Sequence, residues 1–417
     1  MAKVTDSKKE PSHSLGDLLF QLRKKNGLSM QKLANLTEIS PAYICRIESG
    51  ERKPSRDLLE AILTHLIPNA NQAEKDEVLI AAGYAPVNLK NFMGREDVLA
   101  IYQKSLAADP DNFKAYIGFI TSLIRSQQYD VARQHIQQGM QKFDDMVQLQ
   151  TLLATLEMSK GNYQQAILFQ QEALRYYQSS KKHPELKLND LLLSLGVMYF
   201  EQGNHFAYQR IEALNQGEDK LVKKHTKSAL DALQAALTTF EDAMKVDPED
   251  VYILDELARV HFTLAYILPA ESSQEHWLAS IEAFEKTLYS SQKQVLGYEA
   301  LLQSTAFLAL AYSKSGNFSA AWFTINTIEA CLPNYWLIHY IKACYFGLRI
   351  ESEHKGQRNK QSEPLFQSCL KTLATAFAVQ DPHNRAREEA VVEPDLESVK
   401  KLCPKEWKAL FRLKEKK

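Results

Sequence analysis

Three short phrases share one grammar: Gln128-Tyr129-Asp130-Val131-Ala132, Asn162-Tyr163-Gln164-Gln165-Ala166 and Asn317-Phe318-Ser319-Ala320-Ala321. Tyr129 and Tyr163 stand 34 residues apart. In each phrase an aromatic opens a helix, and an alanine three residues on lets a neighbouring helix come close. Gly161 and Gly316 precede two of them, and Gly203-Asn204 marks another turn. A second signature closes units: Asp109-Pro110-Asp111-Asn112, Asp247-Pro248-Glu249-Asp250, Pro333-Asn334 and Asp381-Pro382-His383-Asn384. Proline there stops one helix, and Asn or Asp caps the next. A fixed period of this length predicts stacked helical hairpins that share a continuous core. The 15 glycines and 14 prolines among 417 residues agree with that. At roughly 3.5% each they fall below average usage, which excludes collagen-like and turn-rich all-β chains.

The spacing resembles tetratricopeptide repeats, which pair helices in 34-residue units. Expected pairs are 113–125 with 129–143, 146–159 with 163–178, 187–201 with 206–246, 251–268 with 275–290, 297–314 with 318–331, and 335–351 with 362–379, for five to seven units. The third and fourth exceed 34 residues, with the largest insert at 203–227. A solenoid of this kind presents a concave groove for a peptide or a partner's helix. Polar and aromatic residues on the first helix of each unit would line it: Tyr116, Asn189, Tyr199, Arg259, Gln303 and Tyr312. Each also reads as ordinary helix packing.

Residues 14–67 are punctuated differently. Leu15, Leu18, Leu19 and Leu22 form the stripe of a first helix, stopped by Gly27. Ser29 caps a second helix carrying Leu33, Ala34 and Leu36. Ser40-Pro41 opens a third, with Ile44 and Ile47 inward and Gly50 after its end. Pro54-Ser55 opens a fourth, with Leu58, Leu59, Ile62, Leu63 and Leu66 on one face. Two short helices joined by a tight turn inside such a bundle are a helix-turn-helix plan. The stretch LSMQKLANLTEISPAYICRIESGERKPS resembles the phage-repressor/Cro-like helix-turn-helix family over residues 14–66.

That resemblance implies a buried structural ion pair between Arg23 and Glu48; Glu48 also reads as a solvated helix-end carboxylate. It places Pro41, Ala42, Tyr43 and Arg46 in the DNA major groove. Arg46 suits guanine O6/N7 or a phosphate. Tyr43 suits a thymine methyl, a phosphate, or packing. Ser29, Gln31, Ser49, Arg52, Lys53 and Arg56 surround the helix and suit phosphates. Two residues depart from the family pattern: Met30 stands where Gln is frequent, and Glu38 where Gly is usual. Met30 reads as packing.

Charge is partitioned. Residues 1–60 are net +3, residues 61–397 net −10 and residues 398–417 net +6, within a total of −1. Such asymmetry points to a nucleic-acid-facing end. Residues 68–95 read as a helical linker with Val78, Leu79, Ala81 and Ala82, and 85–95 as its hinge. In the tail, Leu402, Trp407, Leu410 and Phe411 share one face of a basic amphipathic helix. It reads as a membrane-surface or phosphate-binding element or, preferred, as the cap of the last repeat. The five cysteines have no zinc spacing and read as reduced thiols. No signal-peptide core or membrane-length apolar run occurs, which predicts a cytoplasmic protein without membrane contact.

The expectation is an all-α chain: a polar arm (1–13), a helix-turn-helix domain (14–67), a linker (68–95), an α-solenoid of tetratricopeptide-like repeats (96–397) and a capping helix (398–417). No phosphate loop, HExxH, GxSxG or metal spacing points to an enzyme, a cofactor or a metal. The layout resembles peptide-responsive regulators of Gram-positive bacteria. It implies double-stranded DNA as one partner, a peptide or protein in the groove as another, and a homodimer. The alternative is a protein–protein scaffold with a vestigial head, which Met30 and Glu38 favour.

Overall fold

The computed structural model describes residues 15–37, 39–49, 52, 54–68, 75, 78, 79, 82, 96–179, 186–379 and 385–412. The arm, Glu38, Gly50, Lys53, the hinge 85–95, the 381–384 phrase and residues 413–417 lie outside them, as do the side chain of Arg56 and the placement of Ala81. The described residues are helices and their connections, with no strand among them. The chain divides into two compact units, 1–176 and 177–417.

The first unit begins with four short helices: α1 (Leu15–Lys25), α2 (Met30–Leu36), α3 (Pro41–Glu48) and α4 (Arg56–Leu66). The hydroxyls of Ser29, Ser40 and Ser55 accept the N–H of Lys32, Tyr43 and Leu58 and start α2, α3 and α4. Leu19, Leu33, Ala34, Ile44, Ile47, Leu59, Ile62, Leu63 and Leu66 form the core, and Val78, Leu79 and Ala82 pack into it. Met30 is 39% exposed at the start of α2 and is not part of the head's core.

Next come α5 (Glu96–Ala108) and two hairpin pairs, α6 (Phe113–Arg125) with α7 (Tyr129–Lys142) and α8 (Met146–Ser159) with α9 (Tyr163–Ser179). Helix α6 touches α5, α7 and α8, the neighbour pattern of stacked tetratricopeptide-like units. The alanines of the three phrases, Ala132, Ala166 and Ala321, are completely buried. Gly161 and Gly316 take φ of +78° and +85° in the turns before their phrases, where an L side chain is disfavoured.

The second unit pairs α10 (Leu188–Gln216) with α11 (Asp219–Val246), α12 (Val251–Ile267) with α13 (Ala270–Tyr289), α14 (Tyr298–Lys314) with α15 (Phe318–Cys331), and α16 (Trp336–His354) with α17 (Glu363–Ala378). The turn expected at Gly203-Asn204 does not form. Helix α10 runs straight through, because Leu233 of α11 packs against Gly203 where a side chain would stand. The break falls at Gly217, with φ of +72°.

The chain closes with α18 (Arg385–Val392), a 3₁₀ turn at Pro394–Leu396, α19 (Glu397–Leu402) and α20 (Pro404–Leu410). The expected single capping helix is therefore two. Pro404 ends α19 and re-phases the apolar face. Cys403, Trp407 and Leu410 are buried, whereas Leu402 is 41% exposed.

Candidate nucleic-acid interface

Helices α2 and α3 are locked by Leu33 and Ala34 against Ile44 and Ile47, all within 3% of full burial. The turn between them is held by Thr37 and Ile39, whose N–H groups reach the carbonyls of Leu33 and Ala34. Behind this pair, Arg23 of α1 grips the end of α3. Its Nε and Nη2 each donate to a Glu48 carboxylate oxygen at 2.6 Å, and Nη1 donates to the Leu28 carbonyl. Arg23 is 3% exposed, so the fork ties α1 to α3 inside the protein.

The outer face of α3 is left to solvent. Ala42, Cys45, Arg46 and Ser49 are exposed, Pro41 and Tyr43 half-buried. Ala42, Cys45, Arg46 and Ser49 follow i, i+3, i+4 and i+7 spacing, so they form one stripe along the helix. Cys45 belongs to this stripe and was not among the expected contacts; its spacing from Ala42 was the available signal. Arg52 is exposed and lies over the Tyr43 ring at 5.3 Å, and its N–H donates to the Arg46 carbonyl. The surrounding polar residues are committed locally. Ser29 caps α2, Gln31 donates to Asn35 at 3.0 Å, and the Ser49 hydroxyl donates to the Arg46 carbonyl. Each keeps an exposed side chain with hydrogen-bonding capacity left over.

The six groove candidates separate. Tyr116 is buried, with its hydroxyl donating to the His135 carbonyl in the α6/α7 hairpin. Asn189 is buried and donates to Asp250, whose other oxygen caps α12. Tyr312 donates to Glu285, and burial raises its phenol well above the usual range. Tyr199 packs against the α10/α11 core. These four serve packing and caps rather than an open surface.

Arg259 and Gln303 do come together. Both terminal nitrogens of Arg259 reach Gln303 Oε1 at 3.4 Å, its Nε donates to Asp255 at 2.8 Å, and its guanidinium stands 5.7 Å from the Phe307 ring centre. Two further carboxylates sense this arginine. Burial raises Glu201, and raises Glu256 to about 7, with Arg259 opposing in both cases. Sequence spacing did not reveal Glu201, Asp255 and Glu256 as a group, because three helices of the second unit bring them and Gln303 around Arg259.

Residues 14–70 match the family model described as helix-turn-helix domain. The chain matches no curated protein. Among solved structures it is similar to a tetratricopeptide repeat protein from Parabacteroides merdae, at 13% identity and a TM-score of 0.39, covering 69% of this chain and 98% of that one. It is also similar to Bacillus thuringiensis PlcR, solved with the peptide PapR7 and DNA, at 16% identity and a TM-score of 0.35 over 76% and 96% of the two chains. A third is human IFIT1, solved as a dimer with PPP-AAAA, at 14% identity and a TM-score of 0.42 over 95% and 86%. Among the described residues no helix is long and apolar enough to cross a membrane.

Proposed function

We propose that this chain is a DNA-binding transcriptional regulator. The head reads double-stranded operator DNA through α3, and the repeat helices receive a peptide or protein partner. The observation that carries this reading is the exposed stripe of α3, with Arg46 at its centre, on a helix whose inner face is fixed by Ile44 and Ile47 in the apolar core and whose end is held by the Arg23–Glu48 fork. A helix so mounted offers its N-terminal side chains to a groove about as wide as itself. Arg46 supplies a bidentate donor for guanine, and Arg52, braced on Tyr43, supplies a phosphate contact.

The partner surface is the Arg259–Gln303 centre. It combines a guanidinium, an amide, an aromatic face and three carboxylates, a set that suits a peptide backbone and a basic side chain. Two copies pair so that two heads meet half-sites about one helical turn apart. A partner can shift this pairing only by binding one arrangement better than the other.

Selection of bound sequences from fragmented genomic DNA tests the reading. Wild type enriches one sequence class, and its affinity falls steeply with salt. Arg46→Ala loses about 1–3 kcal/mol of binding and the preference at one base pair. Unchanged affinity and preference in Arg46→Ala rejects the role given to α3, and a monomer at micromolar concentration rejects the pairing.

A further inference from the structure

The buried groups of the C-terminal helices include one set that the regulator reading does not use. Cys344 of α16, Glu393 before the 3₁₀ turn and Asp395 within it bring a thiol and two carboxylates together. Their ligand atoms all lie within 4.8 Å of one another. Cys344 is fully buried and Asp395 is 6% exposed, while Glu393 is partly exposed. The turn descends this closely onto α16 because residue 347 is glycine; a Cβ there would collide with the Asp395 carbonyl.

We propose that Cys344, Glu393 and Asp395 form a binding site for a thiophilic divalent cation, zinc foremost. The donor set fits. One thiolate sulfur with carboxylate oxygens is within the zinc repertoire, and the sulfur disfavours magnesium and calcium. The second observation is an unfilled valence. Asp395 Oδ1 accepts from Lys314 Nζ at 2.6 Å, but its Oδ2 is buried and has no hydrogen-bond partner. A buried carboxylate oxygen without a donor is costly, and a cation satisfies it.

Charge points the same way. Lys314 brings one positive charge against two carboxylates, so with both ionised the cluster has an excess of one negative charge. A dication that displaces the Cys344 proton adds two positive charges and one negative. The set of Lys314, Glu393, Asp395, thiolate and metal is then neutral, and the proton goes to solvent. The outer partners are already in place. Lys314 is held 4.3 Å from the Tyr266 ring centre, and the Tyr340 hydroxyl donates to Glu393 Oε2 at 3.3 Å. A ligated Asp395 keeps its Lys314 hydrogen bond on one oxygen and offers the other to the metal. Ligands 49 and 51 residues from Cys344 have no local spacing to betray them.

The test uses the full chain, stripped with a chelator and titrated with Co²⁺, then with Zn²⁺ followed by native mass spectrometry. The expected result is one ion per chain and a sulfur-to-cobalt charge-transfer band in the near ultraviolet. Cys344→Ser abolishes the band, Asp395→Asn weakens binding by at least about tenfold, and Cys45→Ser/Cys331→Ser leaves both unchanged. The proposal is overturned if wild type takes up no ion at one equivalent. It is also overturned if the band persists in Cys344→Ser or vanishes with the two exposed thiols. If Cys344→Ser loses its helical circular dichroism, Asp395→Asn decides: affinity equal to wild type overturns the site.

Discussion

The head and the C-terminal helices both bury charge, with different stoichiometry. In the head one guanidinium meets one carboxylate, and both carboxylate oxygens are engaged by paired 2.6 Å bonds. In the C-terminal helices one ammonium meets two carboxylates, and Asp395 keeps an oxygen that nothing fills. Arg and Lys suit these tasks in that order. The planar fork matches a carboxylate edge, whereas the ammonium is a point charge among neighbours. A matched pair fixes two helices and has nothing left to offer. An unmatched cluster holds its elements together and retains capacity for a further cation.

Double substitution separates the two cases and carries the largest expected effect. Glu48→Ala strands Arg23 in the core and costs the head about 3–5 kcal/mol. Arg23→Met/Glu48→Leu removes both charges and recovers most of that. In the C-terminal helices, Lys314→Met/Asp395→Asn still leaves Glu393 facing Tyr340 without a counter-charge, so recovery is incomplete. Hydrogen exchange resolved to α1 and α3, and to α16 and α19, reads each region separately. Equal recovery in both regions would erase the distinction drawn from stoichiometry.

A neutral pair in the second unit sharpens it further. The Nδ1 atoms of His261 and His276 lie 2.8 Å apart, so one ring donates and the other accepts. Burial, with His276 adding, lowers His261 to about 4, and burial lowers His276 as well. Unfolded, each ring protonates at about 6.5. The unfolded state therefore binds more protons between pH 6.5 and 4. Stability is full above 6.5 and falls as pH drops through that window. The loss from His261 reaches about 2 kcal/mol by pH 5. Thermal unfolding followed by tryptophan fluorescence, carried by Trp277, Trp322, Trp336 and Trp407 of the second unit, measures it. His261→Gln flattens this pH dependence, and an unaltered profile in that variant assigns the loss elsewhere.

How much of this was written in the sequence depends on the range over which each residue acts. Ala132, Ala166 and Ala321 were legible because close helix packing demands a small side chain at a fixed offset from an aromatic. Leu33, Ala34, Ile44 and Ile47 were legible because two short helices can meet only through such positions. Gly203 was misread. Glycine marks a helix end and a helix contact with the same letter, and only Leu233, thirty residues on, decides between them. Arg259 and Gln303 were each placed on a first helix, but their meeting required the packing of α12 on its neighbours. Lys314 and Asp395, 81 residues apart, carry no mutual signal.

The smallest expected effect moves the contrast of matched and unmatched from side chains to backbone. Gln127 and Gly161 occupy the same turn of successive 34-residue units. Gly161 has φ of +78°, and Gln127 has φ of +60°. Glycine adopts that region freely, whereas a side chain there costs about 1–2 kcal/mol. The first turn tolerates the strain because its hydrogen bonds match the second: Gln127 N–H reaches the Ile124 carbonyl and Gln128 N–H the Leu123 carbonyl, as Gly161 and Asn162 reach Met158 and Glu157. Gln127→Gly relieves the strain but loosens the unfolded chain, so a net gain of about 0.5–1 kcal/mol is expected. Gly161→Ala introduces the strain and costs about 1 kcal/mol or slightly more. Opposite signs in the hydrogen exchange of α6–α9 would establish that the two turns differ only in how well the residue suits a shared backbone. A loss in both would mean that Gln127 contributes a contact worth more than its strain.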